Sequence, residues 1–323
     1  MKKKVLVCGA TGFIGRNVAE RLALRNDLEV YGTYLKSEPP DNPRIKMIKA
    51  DLTTRDDVSR VVKGMDIIVQ AAATTSGAKE IVSKPYYHVT DNAVMNSLLF
   101  RAAFEHKVGH VLFFSCTVMY PSGDKPIKET DFDANRELNK NYFGVGWTKL
   151  YIEKMCEFYS RIGSTKYTVM RHSNIYGPYD KYDLERSHVF GATVTKVMTA
   201  KGDKITVWGS GEEGRDLLYV SDLVNFVELA MEKQITPFEL CNVGCGNAVS
   251  VTDIVKNIIR HSGKTLRLEH DLTKPQIKTT LCLDTSKAKA LFGWSPTVSL
   301  DEGIEKTISW YKNNIIAAPE MPR

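Results

Sequence analysis

The chain has 323 residues, 43% of them apolar and 25% charged, enough for a well-buried core in one large α/β domain or in one such domain plus a smaller lobe. Its net charge of +6 is spread along the chain with Asp and Glu interleaved, which excludes a nucleic-acid-binding patch and leaves attraction to a polyphosphate ligand open. The six cysteines (Cys8, Cys116, Cys156, Cys241, Cys245 and Cys282) fall mostly in apolar runs without CxxC or Cys/His ligand spacing, so reduced thiols, a cytoplasmic location and no metal are expected.

The opening MKKK is followed by VLVCGA, an apolar run too short for a signal peptide and broken by glycine; it reads as a first β-strand. No run of about twenty apolar residues exists that would span a membrane. Short β-branched runs then alternate with helical-period segments: a helix from Phe13, EVYGT, IKMIKA, a helix over Asp56 to Lys63, DIIVQA, a helix over Asn92 to Glu105, HVLFFS, a helix over Trp147 to Arg161, and YTVMR. Such alternation predicts parallel crossovers in an α/β, doubly wound Rossmann sheet. After Asn174 the rhythm loosens into a polar, Tyr-rich stretch, then ITVWG, NVGCG, LRLEH and LFGW. The expected division is a dinucleotide-binding domain over 1–174, with segments returning near 216–248, and a smaller α/β substrate lobe over 175–323.

In KVLVCGATGFIGRNVAERL, Gly9, Gly12 and Gly15 follow a strand and open an amphipathic helix, the context in which a glycine trio signals a dinucleotide. Glycine permits the tight turn and brings backbone amides up to a pyrophosphate. Thr11, Phe13 and Ile14 complete the loop. A carboxylate for the ribose 2′-hydroxyl is expected about 20 residues on; here Tyr34 stands there with Lys36 nearby. Without an acid to repel a 2′-phosphate, and with Lys36 and Arg16 to pair with one, NADP(H) is favoured and NAD(H) remains possible.

The form GATGFIG, with ADL at Ala50 to Leu52, AAA at Ala71, Ala72 and Ala73, and NIYGP at Asn174 to Pro178, resembles the extended short-chain dehydrogenase/reductase family. The resemblance implies an adenine-side role for Asp51 and Leu52 and activity on nucleotide-linked sugars. NIYGPYDKYDLERSHV, ITVWGSGEEGRDLLYVSDL, FELCNVGCG and LFGWSPTVSLDEGI look like the GDP-L-fucose synthase branch, and the likeness covers nearly the whole chain. That branch implies a GDP-linked 4-keto-6-deoxy sugar, epimerised and then reduced at C4 with NADPH. By position it places Asn174, Val189, Lys196, Trp208 and Arg215 along the nucleotide-sugar cleft, and a homodimer joined through helices such as Trp147 to Arg161. Cations there suit a diphosphate and an indole offers a face to a base or sugar.

The family's chemistry rests on a Ser or Thr, a Tyr and a Lys, with the Tyr four residues before the Lys on one helix face. Lys149 in VGWTKLYIEK matches the Lys, but four positions earlier stands Val145, which neither donates nor accepts a proton. Tyr142, seven before Lys149, is nearly two turns away. The Ser position falls on Cys116, with Thr117 beside it to supply a hydroxyl, and the branch's epimerisation Cys falls on Val118. His188 matches its second epimerisation residue in SHV and is a candidate for proton transfer. His172, at the end of YTVMR where a parallel sheet delivers residues to a crevice, stands between two readings: a substitute for the missing Tyr, or burial without a role. Three functions therefore compete. The first is C4 redox or epimerisation of a GDP-linked hexose with an altered acid/base set. The second is a 4-epimerase or dehydratase with tightly held NAD, although the Asp-Glu pair usual in dehydratases is replaced by Thr117 and Val118. The third is a nucleotide-sugar or dinucleotide-binding protein that has lost its chemistry.

Overall fold

Val5, Leu6, Val7 and Cys8 are all fully buried, with Val5 and Val7 facing one side of a sheet and Leu6 and Cys8 the other. A strand with two buried faces reads as a continuous apolar run, the signature of a parallel sheet covered on both sides. The computed structural model describes residues 2–74, 85–184, 187–273 and 279–317. Glu185 and Arg186 of the tract Asn174 to Val189 lie outside them.

The strands are β1 (Lys3–Cys8), β2 (Leu28–Tyr34), β3 (Ile45–Lys49), β4 (Ile67–Gln70), β5 (His110–Phe114), β6 (Lys166–His172), β7 (Asn174–Tyr176), β8 (Lys204–Trp208), β9 (Gly214–Tyr219), β10 (Phe238–Val243), β11 (Ala248–Ser250) and β12 (Arg267–Asp271). The helices are α1 (Phe13–Leu22), α2 (Arg55–Val62), α3 (Thr90–Glu105), α4 (Phe143–Ile162), α5 (Val189–Thr199), α6 (Val220–Lys233), α7 (Val251–Ser262), α8 (Ser286–Phe292) and α9 (Leu300–Tyr311). Seven strands form the main sheet in the order β10-β6-β5-β4-β1-β2-β3, every neighbour parallel. Strand order reverses between β1 and β4, and a crevice opens at the carboxyl ends of strands at such a switch point. This is the Rossmann-type sheet expected from the alternation.

On one face α1 and α6 pack Val18, Leu22, Leu223 and Phe226 against Val5 and Val7. On the other, α3 and α4 bring Phe100 and Ile152 against Leu6, Ile68 and Phe113. A third core, built on Tyr176, Phe190, Val194 and Ile254, lies among the later elements, where β11-β9-β7 and β12-β8 form two small sheets.

Helix α4 begins at Phe143, four residues before the expected start at Trp147. Gly144 and Gly146 weaken the helical signal there because glycine is a poor helix former. Both are placed by packing: a Cβ on Gly144 would lie 3.0 Å from a Val89 methyl, and one on Gly146 2.8 Å from Leu138. Tyr142 consequently sits outside the helix, at its N-cap, closing a short turn over Lys140–Tyr142.

Candidate functional site

The glycine loop joins β1 to α1 at the switch point. Gly9 has φ +71, and its N–H donates to Thr33 Oγ1 at 2.9 Å. A Cβ there would lie 2.7 Å from the Cα of Ala72, so the alanine tract after β4 and the loop after β1 meet without room for a side chain. A Cβ on Gly15 would collide with the Gly9 carbonyl oxygen. Gly12 caps α1 with no side-chain hydrogen bond to the first-turn amides, and Thr11, Phe13 and Ile14 are half-buried around it. Amides left without a side-chain cap, in a cradle that excludes Cβ atoms, fit a dinucleotide pyrophosphate.

At the end of β2 Tyr34 is half-buried, and Lys36, two residues beyond, is exposed. The Arg16 guanidinium stacks 3.8 Å from the centroid of Tyr179 and its Nε donates to Glu20 at 2.8 Å. The Asp51 carboxylate accepts from the Thr53 N–H at 2.9 Å and the Thr53 hydroxyl at 2.6 Å, shaping the turn into α2, while Leu52 is buried. Ala71 donates its N–H to the Cys8 carbonyl at 3.2 Å, and Ala73 is exposed.

The titratable cluster gathers at the carboxyl ends of β5 and β6. Lys149 Nζ donates to the Phe114 carbonyl at 2.8 Å and lies 4.7 Å from the centroid of Phe113. Burial lowers its pKa, opposed by nearby Cys116 and Glu153. The Cys116 thiol is pushed up by burial and drawn back by the Lys149 charge. Thr117 and Val118 are half-buried beside it. Val145, one turn before Lys149, brings no polar atom. Burial raises the Tyr142 phenol, with Arg215 lowering and Cys116 raising it. His172 is lowered to about 4, mainly by burial and with smaller contributions from Lys149 and His188, while the Ser173 carbonyl opposes them.

The remaining expected residues come from the later elements. His188 caps α5 and keeps solvent contact; the protein packed around its ring, and secondarily Lys181, hold its pKa below the ordinary histidine range. Val189 is the first residue of α5. Lys196 Nζ lies 5.4 Å from the centroid of Trp208, which is 55% exposed. Asn174 Nδ2 donates to the Asp216 carbonyl at 3.1 Å, tying β7 to β9. Arg215 Nη1 donates to the carbonyl of Gly214 at 3.0 Å and to that of Thr279.

Sequence reasoning missed a buried network behind the cluster. Ser115 Oγ donates to Glu153 Oε1 at 2.5 Å, and Glu153 pairs with Arg171 at 2.6 Å with both side chains buried. Arg171 Nη1 donates to the Tyr120 hydroxyl at 2.9 Å, which donates to Asn242 Oδ1 at 2.8 Å. The available signal was a charge inside each of two apolar segments, YIEKMC and YTVMR.

Residues 5–244 match the model of the NAD dependent epimerase/dehydratase family. The chain belongs to that family. It is 26% identical over 316 residues to GDP-L-colitose synthase of Yersinia pseudotuberculosis, covering 96% of this chain and 98% of that one. It is likewise 26% identical to GDP-L-fucose synthase of Azorhizobium caulinodans, with 96% of each covered. The solved structure of UDP-glucose 4-epimerase from Thermotoga maritima with UDP-glucose superposes with a TM-score of 0.85 at 25% identity, covering 97% of this chain and 99% of that one. The family assignment and the resemblance read from GATGFIG agree. No described helix is long and apolar enough to cross a membrane, and no described group of His, Cys, Asp and Glu is arranged to hold a metal ion.

Proposed function

We propose that the protein is a cytoplasmic enzyme performing C4 redox chemistry, epimerisation, or both on a GDP-linked 4-keto-6-deoxy hexose, with NADP(H) preferred over NAD(H). The observation that carries this reading is the meeting of two halves. The uncapped glycine cradle stands at the switch point of the main sheet, and His172, Cys116 and the Lys149 ammonium stand at the carboxyl ends of β5 and β6 in the same sheet. The GDP-sugar names of two relatives matched over nearly their whole length support the substrate class.

In this reading Gly9, Thr11, Gly12, Phe13, Ile14 and Gly15 hold the pyrophosphate. Asp51, Leu52 and Ala71 to Ala73 border the adenosine half, Lys36 answers a 2′-phosphate, and Lys149 orients the nicotinamide ribose. Bound there, the nicotinamide supplies or accepts a hydride. Asn174, Val189, Lys196, Trp208 and Arg215 line the nucleotide-sugar side, the lobe over 175–323, where Lys196 and Arg215 match a diphosphate and the exposed indole matches a base or sugar face. His188 moves a proton at the sugar ring carbon, and Thr117 or Cys116 contacts the sugar oxygen. Two copies of the chain pair through α4.

Incubation with NADPH and GDP-4-keto-6-deoxy-mannose tests the reading. Loss of reduced-nicotinamide absorbance with a new sugar stereocentre by NMR is expected; no change in either overturns it. Titration with both cofactors tests the preference, which NAD(H) binding at least about tenfold tighter overturns. A second reading, a UDP-sugar 4-epimerase with tightly held NAD, is favoured by the likeness to the Thermotoga enzyme. NAD retained through purification, together with interconversion of UDP-glucose and UDP-galactose, identifies it.

A further inference from the structure

We infer that His172 replaces the absent tyrosine, its Nε2 exchanging the proton of the sugar oxygen whose carbon exchanges hydride with the nicotinamide. The inference rests on the dinucleotide and nucleotide-sugar reading above and adds the group that completes it.

Place comes first. β5 and β6 are parallel neighbours with Phe114 paired to Met170, so His172 stands two residues beyond the partner of the residue whose carbonyl holds Lys149. Its ring meets the Phe114 ring edge-on, centroids 6.1 Å apart at 67°. Lys149 and His172 therefore flank the end of β5 on the same carboxyl edge of the sheet as the glycine cradle, with β4 between, and Val145 leaves no proton carrier at the position before Lys149.

Chemistry comes second. His172 Nδ1 lies 2.8 Å from the Ser173 carbonyl oxygen. A carbonyl only accepts, so Nδ1 carries the hydrogen, and in the neutral ring Nε2 keeps its lone pair. Among the described residues no hydrogen bond is made to Nε2, and it is not one of the buried polar atoms sealed off without a partner. The ring is thus held at one nitrogen and open at the other, as a proton carrier fixed by a neighbour must be. Burial, opposed by the Ser173 carbonyl and reinforced by Lys149 of α4 and His188 at the cap of α5, lowers its pKa to about 4, so the ring is neutral near pH 7.

The step balances. As the C4 hydroxyl is oxidised, its O–H bond breaks and Nε2 takes the proton. The C4–H bond breaks with its electron pair passing to the oxidised nicotinamide, and C4=O forms. Reduction runs the same path backwards, the imidazolium giving its proton to the oxygen. The fixed Nδ1–H to Ser173 contact stabilises the cation while it lasts.

Two measurements decide the inference. In 15N-histidine-labelled protein loaded with NADP+, the His172 signal, assigned by its loss in His172→Phe, is expected to show a protonated Nδ1 and an imine-type Nε2; a protonated Nε2 at neutral pH overturns it. In single turnovers with NADPH and GDP-4-keto-6-deoxy-mannose, His172→Phe is expected to lose at least about 100-fold in hydride transfer with cofactor affinity within about threefold. Adding Val145→Tyr to that variant is expected to recover at least about tenfold. A merely structural role for His172 predicts no such rescue. Hydride transfer unchanged in His172→Phe, or abolished in Tyr142→Phe alone, overturns the inference. If the unaltered protein leaves this sugar untouched, the substrate reading falls, and the tautomer then decides the place of His172 by itself.

Discussion

The ammonium of Lys149 donates a 2.8 Å hydrogen bond to the carbonyl of Phe114, which moors α4 to the last residue of β5. The same ammonium lies 4.7 Å from the centroid of the Phe113 ring. Replacing Lys149 by Met keeps an unbranched side chain of similar length and removes the cation. Turnover of the GDP-keto sugar is expected to fall by about 100-fold or more, measured by NADPH consumption. The same variant carries a readout that needs no substrate. Because the Lys149 charge lowers His172, the His172 titration followed by NMR is expected to move up.

The glycine loop makes the second prediction. Gly9→Ala places a methyl against the backbone of Ala72 and strains a backbone at φ +71, and Gly15→Ala places one on the Gly9 carbonyl. Either change displaces the loop from the helix start that receives the pyrophosphate. Isothermal titration is expected to show NADP(H) binding weakened by at least about tenfold in both. Retained affinity in either variant overturns the assignment of the cradle.

What was legible follows from the distance over which each feature acts. The glycine cradle is local, set by three residues within seven positions, and the buried strands are apolar runs that need no partner to be recognised. The start of α4 was hidden because Gly144 and Gly146 read as breaks, whereas contacts with Val89 and Leu138, distant in sequence, require them. The neighbour of Arg16 was hidden for a similar reason, since Tyr179, on which its guanidinium stacks, lies far along the chain. The positions of Lys149 and His188 were readable by matching motifs; the orientation of the His172 ring was not, because it depends on a single carbonyl contact.

Glu153 and Arg171 yield a prediction about stability. Their ion pair is 2.6 Å long with side chains only 3% and 5% exposed. Removing one partner strands a buried charge, so Glu153→Ala or Arg171→Ala is expected to cost about 3–5 kcal/mol in denaturant unfolding. Replacing both, as Glu153→Leu with Arg171→Met, is expected to cost less than the sum. Additive losses show that the two side chains do not act as a pair.

Phe143, Trp147, Tyr151, Phe158 and Ile162 are all exposed on α4. Successive spacings of four, four, seven and four residues lay them along one stripe of the helix. A row of large apolar side chains left in water suits a face covered by another copy of the chain. Trp147→Glu is expected to give a monomer where the unaltered protein sediments as a dimer. A monomeric unaltered protein overturns the pairing.

The pH dependence of stability has a sign set by His110. Burial first and the Lys166 charge second lower it to about 3, and its ring nitrogen contacts Thr168 Oγ1 at 2.7 Å. Above its ordinary value of about 6.5, the folded and unfolded chains both hold it neutral. As pH falls below that, only the unfolded chain takes up the proton, so stability is lost on acidification towards the folded value, with a slope approaching about 1.4 kcal/mol per pH unit. His172, lowered to about 4, adds to the loss over the same window. Asp180 opposes it: burial raises its carboxyl to about 7, so the folded chain gains that proton first and stability rises as pH falls from 7 towards 4. The raw curve mixes these terms, and a comparison of variants separates them. The stability difference between the unaltered protein and His110→Gln, measured by urea unfolding, is expected to shift in favour of the variant by about 1.4 kcal/mol for each pH unit below 6. For Asp180→Asn the expected shift runs the other way, the variant losing ground as pH falls from 7 to 5. A pH-independent difference for His110→Gln shows that the ring is not held neutral by its burial.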